Sequence, residues 1–326
     1  MLYKNWFLAA LLVASFLPAV VSVLNFEILN QSVAAITFLF SLLAIMSGAH
    51  VWLTLAYYAN REWLEHFQKF PMIFFLSPVL ILIGSIGIVS QPDKSLGISF
   101  VYGVTFINLW HHSKQNWGIL SMVGKIRSQN VTQFRLPLIY AWPFFLMAWC
   151  LQLPELSRSI GPTHLKEASI ICSVAYLAFS ARFAWRSFLL MKDPFTIAFG
   201  SVLICYFMPL ILLVGKPYAL LIWASAHALQ YYVMVLISMS MKRRSEMSFS
   251  TGSLAAAGSL AILIAFTVAS WLSSRAGAGD FWSSLTARFI VGTVTGINLV
   301  HFWIDAFIWK FSSADIRQQH GEAFTF

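Results

Sequence analysis

Five histidines, His50, His111, His112, His227 and His301, lie inside apolar runs of this 326-residue chain, and each has hydrogen-bonding company at helical spacing. "INLWHHSKQN" sets Asn108, His111, His112 and Gln115 three and four residues apart, on one face of a helix. "ASAHALQYY" places Gln230 and Tyr231 three and four residues beyond His227, and "NLVHFWIDAFIWKF" brackets His301 between Asn298 and Asp305. Thr54 and Tyr57 share the side of His50. Several neutral imidazoles with no thiolate among them suit zinc, iron, copper or nickel. The five histidines are therefore candidate metal ligands. Asp305 either coordinates directly or, like Gln115, orients a ring nitrogen from outside the ligand set. With Tyr231, these are the candidate catalytic groups.

A single histidine in an apolar helix needs no metal to explain it, since one interhelical hydrogen bond of about 1–2 kcal/mol satisfies it. Five such residues on four helices are harder to treat as independent, above all with an aspartate that costs about 2.5–3.5 kcal/mol at the centre of a membrane helix. They point to one convergent polar site. No P-loop, GxSxG, HExxH or dinucleotide fingerprint occurs, so cofactors of those kinds have no support.

The elements that must carry these residues follow from composition. Hydrophobic residues make up 59% of the chain and charged residues 10%, with a mean hydropathy of +0.75, which is the balance of an integral membrane protein. Apolar runs of about 17–25 residues predict ten helices near 6–24, 32–58, 70–90, 98–123, 136–153, 167–190, 195–214, 217–241, 252–273 and 284–310. Pro92, Pro154, Pro194 and Pro217 punctuate the connections. The first run resembles the apolar stretch of a signal peptide but is expected to remain as a span. The expected fold is an all-α, polytopic membrane helix bundle forming a single transmembrane domain. Cys150, Cys172 and Cys205 lie in apolar runs without a CxxC spacing, which disfavours a disulfide framework or a zinc ribbon.

Two thirds of the 21 lysines and arginines fall on the side of the amino terminus. Both termini are therefore expected in the cytoplasm, as in a bacterial inner-membrane protein. The net charge of +9 then reads as a basic inner surface and calls for no nucleic acid. Membrane lipid and a lipophilic small molecule are the expected partners, and no protein partner is specified. All five histidines fall on even-numbered helices, which run in one direction. At 1.5 Å per residue they occupy roughly 12 Å of depth. His66, His164 and His320 fall in connections or the tail. Lys114, three residues from His111, is expected to snorkel, and Trp110, Trp223 and Trp303 are candidate cavity walls.

The order of the patches "GAHVWL", "INLWHHSKQN", "ASAHALQYY" and "NLVHFWIDAFIWKF" resembles that of the Brp/Blh family of bacterial and archaeal integral membrane beta-carotene 15,15'-dioxygenases. The resemblance implies iron bound by His50, His111 and His227, with His301 and Asp305 as the last-helix motif. It also implies oxygenation of a carotenoid-like or other lipid substrate. Val51 and Trp52 follow His50 where the family has glycine and an acidic residue, and Tyr231 stands where it has a second late histidine. Two other classes fit the same residues. A haem-binding electron carrier would use two histidines as axial ligands. An ion or solute transporter would use the polar residues as a path, although no internal repeat is visible and the central parts of the histidine helices lack proline.

Overall fold

The computed structural model describes residues 2–24, 61–140, 162–190, 192–207, 218–242 and 284–310, together with Gly48, His50, Val51, Leu53, Thr54, Tyr57 and Tyr58. The helices are α1 (Leu2–Leu24), α2 (Arg61–Gln68), a π-helical turn (Met72–Leu76), α3 (Ser77–Val89), α4 (Lys94–Ile126), a 3-10 turn (Thr132–Phe134), α5 (Arg135–Tyr140), α6 (Pro162–Leu190), α7 (Pro194–Cys205), α8 (Tyr218–Lys242) and α9 (Leu285–Ile308). No strand occurs among the described residues. The protein is all-α. The expected span at 252–273 lies outside the described residues, as do most of 32–58 and parts of 136–153 and 195–214.

Two compact units divide the chain, one from residues 1–43 and 109–233, the other from 44–108 and 234–325. In the first, α6 packs on α5 and α7, and α1 packs on α7. The start of α7 shows how local chemistry sets a boundary. Pro194 occupies the first turn, where its missing N–H leaves no bond unmade. Asp193 caps the helix by accepting from Thr196 N at 2.9 Å and from Thr196 Oγ1 at 2.6 Å. Arg127, at the end of α4, donates through both Nε and Nη2 to the same carboxylate. That guanidinium, helped by Thr196, holds the Asp193 carboxyl down to about 2.

In the second unit, Pro78 explains the π-helical turn that precedes it. Proline has no N–H for the carbonyl four residues back, which is Phe74 O, and its ring crowds that carbonyl. The freed oxygen receives Tyr58 Oη at 2.5 Å, and the neighbouring Ile73 O receives Trp303 Nε1 at 2.9 Å. Side chains from two other segments thus satisfy backbone groups that the widened turn exposes, as an apolar surrounding requires.

α3 and α9 form the tightest pair in this unit. On α3 the stripe Leu82, Ser85, Ile86 and Val89 faces α9, whose "GTVTG" places Gly292 and Gly296 one turn apart against it. A Cβ on Gly292 would lie 2.9 Å from Ile86 Cα, and one on Gly296 would lie 2.9 Å from Leu82 Cδ1. Small residues spaced by four let helix backbones approach this closely. Gly292→Ala is expected to lower stability by about 1–3 kcal/mol through overpacking, read as a fall in thermal midpoint. Gly296→Ala should do less, because its nearest obstacle is the tip of a side chain rather than backbone.

The segments Met72–Val89 and Leu285–Ile308 are long and apolar enough to cross a membrane. Only 17% of the first is buried, and Val79, Leu80 and Ile83 face outward. Two expectations need correction. Residues 61–68, expected as a connection, form the amphipathic helix α2. His66, expected outside the packed helices, is buried on α2 among Trp63, Phe67, Phe70 and Phe74 at ring distances of 5.4–6.3 Å. Hydropathy alone missed this because Arg61 and Glu65, exposed on the opposite face, offset the apolar stripe.

Candidate metal centre

α9 carries the acid and one imidazole of the second unit. One helical turn separates His301 from Asp305, so both side chains leave the same face, and both are buried. His301 Nε2 lies 3.5 Å from Asp305 Oδ2. On the other edge of the ring, Nδ1 lies 2.7 Å from Thr54 Oγ1. His50, one turn before Thr54, stands edge-on to the same imidazole with ring centres 4.8 Å apart and is itself buried. A 3.5 Å separation is long for a nitrogen–oxygen hydrogen bond. It lies in the range of two donors of one ion, since bonds of about 2.1 Å put the donor atoms about 3.0 Å apart at a right angle and about 3.4 Å apart at a tetrahedral one. Two imidazoles and a carboxylate are also the donor set typical of non-haem iron.

The first unit gathers the other three histidines. His112 and His227 stack face to face, ring centres 3.7 Å apart at 17°. Trp223 covers the second face of His112 at 4.0 Å. His111 approaches His227 edge-on at 5.3 Å and is less buried than either. One turn further along each helix, Asn116 follows His112 and Gln230 follows His227. Gln230 Nε2 donates to Asn116 Oδ1 at 3.2 Å and to Ser15 Oγ at 2.8 Å. Ser15 Oγ in turn donates to Leu11 O at 2.7 Å, closing a buried relay from α1 to α4 and α8.

The histidines expected to be buried in helices are so, apart from the half-buried His111. Asp305 joins His301 as its spacing predicted. Tyr231 is buried on α8, and Gln115 is half-buried on α4. Of the expected cavity walls, Trp223 packs against His112, whereas Trp110 lies under Lys114 Nζ at 4.8 Å and Trp303 is held by Ile73 O. Lys114 is exposed, with its ammonium outside the cluster. Ser15 and Asn116 were not anticipated. Asn116 carried a signal, being four residues from His112, whereas an isolated serine in an apolar helix carries none. His164 is exposed and paired with Glu167 at 3.1 Å, and His320 lies outside the described residues.

Helices presenting buried imidazoles with carboxylate, hydroxyl and amide partners define an all-α protein with the makings of a nitrogen-rich metal site. No protein-family model, no characterised protein and no solved structure matches the chain.

Proposed function

We propose that the chain is an integral membrane protein of about ten spans whose buried histidines bind iron, and that it oxygenates a lipophilic substrate. The observation that carries this reading is the pair His301 and Asp305, an imidazole and a carboxylate buried 3.5 Å apart with the His50 ring edge-on to the imidazole, on segments of high apolar content. A buried carboxylate is stable where positive charge or donors face it, and a divalent ion supplies that charge. The ion would be held by His301 and Asp305, with the His50 imidazole, edge-on to His301, as a further donor. When bound, ferrous iron supplies the activation of dioxygen that none of the twenty side chains provides. The protein's own part is to hold and orient. With Nε2 of His301 facing the ion, Nδ1 would carry the proton and donate it to Thr54 Oγ1, which holds the ring in that orientation. The apolar surroundings exclude water. Within the first unit, His111, His112 and His227 form an imidazole cluster of their own, with Tyr231 and Gln115 on the same helices. The resemblance of the motif order to that of the Brp/Blh family points to the same class.

Membrane residence is supported by the composition and by the exposed apolar faces of Met72–Val89 and Leu285–Ile308. Neither a buried core helix nor an amino-terminal signal accounts for the first of these. The lysine and arginine bias places both termini in the cytoplasm of a bacterial inner membrane. A reporter fused after Phe326 is expected to be active only as a cytoplasmic fusion, and periplasmic activity would overturn that orientation.

Elemental analysis of the full chain, purified in detergent without added metal, tests the central claim. About one iron per chain or more is expected. Absence of iron, together with failure of ferrous iron to raise the thermal midpoint, would remove the oxygenase reading. Zinc or copper in its place would keep the site and change the chemistry. A haem absorption band would transfer the histidines to axial ligation.

A further inference from the structure

Beside the second-unit donor set lies a cleft of about 280 Å³. Val79 and Leu82 of α3 form one wall and Ile297 and Val300 of α9 another, while Thr54 and His301 supply its polar residues. It runs from an exposed rim to a buried end, since Val79 is 52% exposed and His301 only 1%. The rim belongs to the outward apolar face of α3. The cleft is thus open toward that face.

The lining decides what fits. Aromatic residues make up 16% of the chain, yet among the described residues no Phe, Trp or Tyr lines the cleft. A planar conjugated polyene gains most from aromatic walls, where rings stack or meet edge to face. Branched aliphatic ridges instead suit a flexible chain that bends to follow them, by area burial and dispersion alone. The volume is that of about nine waters at roughly 30 Å³ each. It therefore holds a segment of a hydrocarbon chain and excludes a whole lipid. We infer that this cleft binds a saturated, unbranched alkyl chain admitted from the bilayer between α3 and α9, with one segment of the chain brought against His301. The inference rests on the membrane oxygenase reading for its consequence, while binding itself needs only the aliphatic walls.

The chain belongs either to a free fatty acid or to an acyl tail of a membrane phospholipid, and the two share this chemistry. The full protein in phosphatidylcholine nanodiscs is irradiated with palmitic acid bearing a mid-chain diazirine, or with a phospholipid bearing the same acyl group, and adducts are mapped by peptide mass spectrometry. Adducts should concentrate on 79–82 and 297–300 and should survive treatment with a chelator. Stronger labelling by the free acid or by the phospholipid identifies the source, and either supports the inference. Val300→Phe and Val79→Trp, each narrowing the cleft from a different helix, should lower labelling there about tenfold with the thermal midpoint retained. Adducts spread evenly over other outward apolar faces, such as 170–174 of α6, would overturn it. So would labelling unchanged in both variants, or displacement by beta-carotene at lower concentration than by palmitic acid. Iron retained without cleft labelling would sink this inference and leave the metal centre standing, and labelling without iron would do the reverse.

Discussion

His301→Ala is expected to reduce the iron content of the purified protein by more than about tenfold. His301 is the residue on which the second-unit contacts converge: Asp305 lies 3.5 Å from one ring nitrogen, Thr54 lies 2.7 Å from the other, and His50 stands against the ring. Removing it takes away one donor and the ring against which Asp305 and His50 are set. His50→Ala should produce a loss of similar size. Because ligands of one ion act as a unit, the double variant should be little worse than either single one. His164→Ala is the control, since His164 is exposed and paired only with Glu167; it should keep the parental iron content. His111→Ala and His227→Ala test in the same assay whether the first unit holds an ion of its own, which loss of iron at both would show. His112→Ala should chiefly lower the thermal midpoint, because His112 is clamped between Trp223 and His227. Small, additive losses across the whole series would mean that the histidines serve separate interhelical hydrogen bonds, and no shared ion would remain to explain them.

Asp305→Asn separates a ligand from an orienting group. A carboxylate that only holds a histidine from outside the ligand set is worth about 10- to 100-fold in metal affinity. The 3.5 Å gap between Asp305 Oδ2 and His301 Nε2 fits shared coordination better than a hydrogen bond. Weakening of iron binding by more than about 100-fold is therefore expected, measured by competition with a chelator of known affinity. Asparagine keeps the volume and removes the charge, so secondary structure by circular dichroism should be unchanged. A loss within the smaller range would return Asp305 to an orienting role. Parental affinity and activity would take it out of the site altogether, and the likeness of the last-helix patch to the Brp/Blh pattern would lose its chief support.

Much of this arrangement was legible in the chain itself. Helix period places His301 and Asp305 on one face, Gln230 beside His227, and Thr54 beside His50, with no knowledge of any other helix. The apolar runs at 70–90, 217–241 and 284–310 coincide to within two residues with the helical segments Met72–Val89, Tyr218–Lys242 and Leu285–Ile308. Lys94–Ile126 extends beyond the apolar run at both ends because a helix continues into polar residues that hydropathy does not count. α2 escaped for a related reason: eight residues with three acidic or basic side chains fall below any hydropathy threshold, while their buried stripe is visible only once Phe70 and Phe74 are seen to cover it.

The sequence by itself determined an all-α chain, the helices that carry imidazoles, and the partners lying three or four residues from each, because these depend on local periodicity alone. The tertiary structure decided which edge of His301 faces Thr54, 247 positions away, that His112 stacks on His227, and that Ser15 closes a relay with Gln230 and Asn116. It also decided that, among the described residues, aliphatic side chains rather than the abundant aromatics line the cleft beside His301. Each of these depends on how a helix is rotated about its axis and how closely it approaches its neighbour. That rotation is set by packing details such as the Gly292 and Gly296 contacts with α3, to which the spacing of polar residues along one helix is blind.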